Sequence, residues 1–85
     1  MNMPDRDQIR MAAREVVSAM VGENVSDDES LISSGRIDSL SILKLISQME
    51  EKLKVRIPPE NLQPDDFENI DWIVDTVERA QQSAA

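Results

Sequence analysis

Aliphatic residues return at three- and four-residue intervals in three separate blocks of this 85-residue chain, and that spacing restricts its fold more than any other feature. Ile9, Ala12, Ala13, Val16, Val17 and Met20 mark the first block, which Pro4 and Asp5 start and Gly22 stops. Ile42, Leu43, Ile46, Met49 and Leu53 read as the buried stripe of the second. Pro58 and Pro59 end it, because proline lacks the N–H donor and holds Ile57 in extended geometry. Ile70, Ile73, Val74 and Val77 mark the third, with Asn69 as its N-cap. The pattern predicts an all-α bundle of three main helices, over about residues 5–21, 39–53 and 70–81, with a short helix within 59–68. Pro59 to Leu62 is a further candidate turn, and the last three residues are expected to fray. The one strand-like run, Lys54-Val55-Arg56-Ile57, is too isolated to build a sheet. No repeat or linker divides residues 1–85, which read as a single domain.

A chain this small has little apolar surface to spare. Ordering it costs on the order of 130 kcal/mol of conformational entropy, so most aliphatic residues are committed to the core and a deep catalytic pocket is not expected. The absence of cysteine and histidine removes the disulfide framework, the thiolate, the commonest general base and the commonest metal ligand. Seventeen acidic against nine basic residues give a net charge of −8, which repels phosphate backbones and anionic lipid and argues against nucleic acid as a partner. The acidity suits docking onto enzymes with basic surfaces, although solubility alone would produce the same composition. No apolar leader opens the chain and nowhere do eighteen apolar residues run together, so a cytoplasmic protein without membrane insertion is expected, and separately a monomer.

Residues 22–38 form a long loop anchored by Val25, Leu31, Ile32 and Ile37, and loops of that length in small domains are usually functional. It ends in Gly35-Arg36-Ile37-Asp38-Ser39-Leu40, which sets an accessible serine at the start of the second helix. The first N–H groups of a helix have no intrahelical partner and carry partial positive charge, so a phosphate ester on Ser39 would meet a favourable site. At 100° per residue Leu40 falls away from the stripe, grouped with Lys44, Ser47 and Glu51. The same tripeptide also reads simply as a helix cap.

Asp38-Ser39-Leu40, with Leu31 and Ile32 before the glycine, Glu50-Glu51 late in the helix, Ile57-Pro58 after it and Phe67 to Val77 beyond, resembles the acyl carrier protein family over nearly the whole chain. The resemblance implies the fold of that family and a 4′-phosphopantetheine arm on Ser39, transferred from coenzyme A by a phosphopantetheinyl transferase with Mg²⁺. Asp38 would support the attachment. Leu40, Lys44, Ser47, Glu50 and Glu51 would form the docking face for the transferase, a loading ligase and downstream transferases or synthases. The arm would carry an acyl or aminoacyl thioester, and the protein itself would not be an enzyme.

Carriers of fatty acid synthesis typically show Gly-x-Asp-Ser-Leu and an acid a few residues along this helix, whereas this chain has two residues between Gly35 and Asp38, and Lys44 at that acidic position. The arrangement looks more like stand-alone D-alanyl, aminoacyl, peptidyl or specialised polyketide carriers, serving a specialised lipid, polyketide, peptide or cell-envelope pathway. The alternative is a small helical adaptor without a prosthetic group, in which Leu40 and Trp72 are plain protein contacts.

Other signals carry less. The acidic run of residues 65–71 lacks the glycine and ligand alternation of a calcium loop, and Asp27-Asp28-Glu29 reads as a solvated charge run. Trp72 lies about 200° from Ile70 and is expected against the Phe67 turn as a satellite of the core, with a partner contact as the alternative. Met20 and Met49 sit on core stripes and Met11 does not.

Overall fold

In the computed structural model, which describes residues 4–58 and 62–83, the chain order is α1 (Arg6–Val21), α2 (Ser39–Leu53), a single turn of 3-10 helix, η1 (Pro64–Phe67), and α3 (Ile70–Ser83). Each helix begins where a side chain takes up its free N–H groups. Asp5 caps α1 by accepting the Gln8 N–H at 2.9 Å while the Gln8 side chain accepts the Asp5 N–H at 2.8 Å, a capping box. Asn69 accepts the Trp72 N–H at 2.8 Å and so caps α3. Gly22 closes α1 in the left-handed region, at φ 82°, with its N–H donating to the Ser18 carbonyl. Lys54 does the same for α2 at φ 58°, an uncommon conformation for a residue with a side chain.

The three helices bury one shared core. Ile9, Ala13 and Val17 from α1 meet Leu45 and Met49 from α2 and Ile70, Ile73, Val74 and Val77 from α3. Phe67 of η1 and Ile57, just after α2, close one side, and Met20 and Leu53 pack at the edge. Arg6 reaches Asp75 and Glu78 at 2.6 and 2.8 Å while Arg10 reaches Asp71 at 2.5 Å, so α1 and α3 run antiparallel. The radius of gyration, 11.8 Å, matches the roughly 12 Å of a folded chain this long, so the long loop is packed onto the bundle rather than extended from it. None of the helices among the described residues is long and apolar enough to cross a membrane.

Two side chains depart from the predicted packing. Leu43, placed on the stripe of α2 by its spacing, is 59% exposed, and Leu45 is fully buried in its stead. The cause is angular: Leu45 lies 60° to one side of Ile42 and Leu43 100° to the other, and Ile42 and Met49 centre the arc between Leu45 and Ile46. Trp72 is 50% exposed rather than tucked beneath the Phe67 turn. Thr76, one turn on, occupies the inward space, buried with its hydroxyl donating to the Trp72 carbonyl at 2.8 Å and lying 3.2 Å from the Asp66 carbonyl. The candidate turn from Pro59 falls mostly outside the described residues.

Candidate functional site

The N-terminus of α2 is where the long loop hands over to a helix, and its geometry is set by Asp38. With extended backbone (φ −104°, ψ 179°), Asp38 turns its carboxylate back to accept the Ser41 N–H at 2.8 Å while its carbonyl accepts the Ile42 N–H at 3.0 Å. The Ser41 N–H holds the Asp38 carboxyl below the usual carboxylate range. A carboxylate so held is a weak base toward its neighbour. Ser39 is the first residue of α2 and is exposed. Its side chain therefore stands at an exposed helix N-terminus, and among the described residues no base is hydrogen-bonded to it.

The loop that delivers this serine is fixed at several points. Leu31 and Ile37 are buried, the Ile37 N–H donates to the Leu31 carbonyl at 3.0 Å, and the Leu31 N–H donates to the Glu68 carbonyl at 2.7 Å. Gly35 turns the chain at φ 81°, a conformation that suits glycine, with its N–H on the Ile32 carbonyl at 3.0 Å. Arg36 pairs with Glu29 and with Glu23 at 3.1 Å, closing the loop across its own width. Asp27 receives Arg10 and Arg14, each at 2.7 Å, and its carbonyl accepts the Asp71 N–H at 3.1 Å. Burial pushes the Asp27 carboxyl up, but the two arginines outweigh it and leave it below the ordinary value. On the other side, the hydrogen bond to Asp71 raises Arg10 further.

Beyond Ser39, Leu40 is 79% exposed and Leu43, Lys44, Ser47 and Glu51 are exposed on the same side of α2. Leu43, unanticipated there, sits one turn from Leu40 and adds to the exposed apolar surface on that side of α2. Its 100° offset from Ile42 was the signal that could have found it. Glu50 stands apart from this group: half-buried, it accepts the Ile57 N–H at 2.8 Å and so fastens the end of α2 to the segment that follows. From residue 39 to residue 49 there is no acidic side chain, although the chain carries a net charge of −8.

Comparison with known proteins bears on the same residues. The family described as the phosphopantetheine attachment site matches residues 7–77. The D-alanyl carrier protein of Streptococcus sanguinis is 31% identical over 71 residues, covering 81% of this chain and 90% of that protein. That of Streptococcus gordonii is 32% identical over 65 residues, covering 74% and 82%, and that of Leuconostoc citreum is 27% identical over 66 residues, covering 75% and 85%. The matched span takes in all of α1 but its first residue, the loop, α2, η1 and α3 as far as Val77. With the all-helical bundle already described, these matches establish that the chain belongs to the acyl carrier protein family, as a non-catalytic carrier with covalently attached 4′-phosphopantetheine.

Proposed function

We propose that Ser39 is the attachment point of the arm and that the thioester it carries is an aminoacyl group, D-alanyl as in the names of the relatives. One observation carries the attachment site: the exposed Ser39 hydroxyl at the first position of α2, directly after a capping aspartate. When bound, the arm supplies a thiol that holds an acyl group activated for transfer. The chain's own residues present it. The free N–H groups at the start of α2 favour the phosphodiester, and Asp38 keeps the helix start in shape while leaving Ser39 outside the core. Activation of the hydroxyl falls to the phosphopantetheinyl transferase, because Asp38 is already engaged by Ser41.

Docking of the transferase, a loading ligase and downstream acyl-accepting transferases is assigned to Leu40, Leu43, Lys44, Ser47 and Glu51. Glu50 contributes through its hold on Ile57 more than through direct contact. This face is apolar with one cation and one late acid, so partners that fit it present an apolar patch with little charge. A basic surface shaped for an acidic helix would meet Lys44.

The test is intact-protein mass after incubation with coenzyme A, Mg²⁺ and a broad-specificity phosphopantetheinyl transferase, beside Ser39→Ala. The phosphopantetheine increment is expected on the parent and absent from the variant. An unmodified but folded parent, or a modified variant, would overturn the assignment. The cargo is tested by offering the loaded protein D-alanine, ATP and a D-alanine-activating carrier ligase. A D-alanyl increment lost on treatment with hydroxylamine is expected, and failure to load with D-alanine while another amino acid loads would redirect the cargo.

A further inference from the structure

One carboxylate gathers the loop that leads into Ser39. Glu68, between η1 and α3, faces the loop with both backbone and side chain. Its carbonyl accepts the Leu31 N–H at 2.7 Å, its Oε1 accepts the Ser30 hydroxyl and the Ser33 N–H at 3.2 Å, and its Oε2 accepts the Ser33 hydroxyl at 2.7 Å. The Ser30 and Ser33 hydroxyls, in that order, hold the Glu68 carboxyl below its ordinary range.

The bonding continues toward the serine. Leu31 is held on both sides, its N–H by Glu68 and its carbonyl by the Ile37 N–H at 3.0 Å, and Ile37 directly precedes the capping Asp38. The Ser34 hydroxyl donates to the Ser30 carbonyl at 2.8 Å, and Gly35 closes the turn on Ile32. A path thus runs from the Glu68 carbonyl through the Leu31 and Ile37 hydrogen bonds and the Ile37–Asp38 peptide to the residue that caps α2, and the Glu68 carboxylate, by holding Ser30 and Ser33 on either side of Leu31, keeps that path in register.

We propose that Glu68 is a positioning residue for arm attachment, acting through this path on the approach of Asp38 and Ser39; the inference rests on Ser39 being the attached residue. The helix start is fixed by the burial of Ile42 and Leu45, whereas the incoming segment depends on polar contacts as well as on burial. It holds few buried side chains besides Leu31 and Ile37, and an error of about 1 Å at a reacting hydroxyl can cost as much as a hundredfold in rate. Three donors converge on one carboxylate, so removing that carboxylate frees all of them together.

The experiment measures kcat and KM for arm transfer from coenzyme A by a broad-specificity transferase, with the full chain as substrate. It uses the parent, Glu68→Ala, Glu68→Gln, Ser30→Ala with Ser33→Ala, and Glu68→Ala combined with both serine changes, at a temperature where helical circular dichroism shows all of them folded. Glu68→Ala is expected to lower kcat about tenfold with KM nearly unchanged, since reacting geometry rather than docking is altered. Glu68→Gln, whose Oε1 can still accept the Ser30 hydroxyl and the Ser33 N–H while its Nε2 donates to the Ser33 hydroxyl, is expected to restore most of the rate, and the combined variant to be no slower than Glu68→Ala. Unchanged kcat in the folded variants, or losses that multiply in the combined one, overturns the proposal. Should Glu68→Ala fail to fold, the paired serine variant decides on the same criterion. A parent that takes up no arm sinks the attachment assignment itself, an outcome distinct from a parent and Glu68→Ala that load equally fast.

Discussion

Asp38 holds the helix start and borders the proposed attachment point, and these two roles separate on substitution. Asp38→Ala removes the acceptor for the Ser41 N–H and is expected to cost about 1 kcal/mol of stability, read from the urea midpoint. Asp38→Ser keeps an acceptor and should recover most of that loss. If Asp38→Ser then accepts the arm as fast as the parent, the carboxylate contributes only the cap. At the other end of the molecule a polar side chain stands where the pattern asks for an apolar one. Gln81 is 7% exposed on the inward side of α3, one turn after Val77, and its Nε2 finds no hydrogen-bond partner among the described residues. A buried unpaired amide costs roughly 1–3 kcal/mol, so Gln81→Leu should raise the urea midpoint, and a lowered midpoint would show that the amide is satisfied in solution.

The second helix shows how far spacing alone reaches. Recurrence of Ile42, Ile46 and Met49 identifies a helix and its buried side, because those positions fall within a narrow arc. The edges of the arc are set by neighbours that periodicity does not contain. Leu43 and Leu45 are equally apolar; the smaller offset of Leu45 from Ile42 favours its burial, and the seating of α2 against α1 and η1 completes the choice. Trp72 on α3 fell to the same uncertainty, settled by the inward-facing Thr76. The serine, the aspartate and the exposed Leu40 were readable because they belong to one short segment with its own local physics. The clasp at Glu68 was not, since it joins residues 35 and 38 positions apart and exists only once the loop has folded back. Exchange of Leu43 and Leu45 has a measurable consequence. Leu45→Ala should cost about 2–5 kcal/mol and Leu43→Ala less than about 0.5 kcal/mol, while only Leu43→Ala raises KM for the transferase or ligase without changing stability. Equal destabilisation by the two would return Leu43 to the core.

Across the whole molecule, acidity and function are kept in different places. The net charge of −8 comes from the loop of residues 22–38 and from residues 65–78, while residues 39–49 carry none of the acids. Four of the acids are paired internally: Asp27, Asp71, Asp75 and Glu78 meet Arg6, Arg10 and Arg14 and tie α1 to the loop and to α3. The pH dependence of folding follows from which carboxyls are held. Asp27, Asp38 and Glu68 sit below their ordinary values in the folded chain, so the unfolded chain binds protons more readily as the pH drops. Their contribution is complete above the ordinary carboxylate range, about pH 4–4.5, and is lost as the pH falls through the lower folded values. Protonation also relieves the self-repulsion of an acidic chain, but that effect is screened beyond about 8 Å at physiological salt, whereas these hydrogen bonds are local. With no histidine or cysteine to titrate, the urea midpoint should stay level between about pH 5.5 and 7 and fall below about pH 4. Glu68→Gln, Asp38→Asn and Asp27→Asn should each make that acid decline shallower, because each removes one group whose protonation favours the unfolded chain. A midpoint that slopes between pH 5.5 and 7, or that climbs below pH 4, would mean that long-range repulsion rather than these three carboxylates governs the stability of the fold.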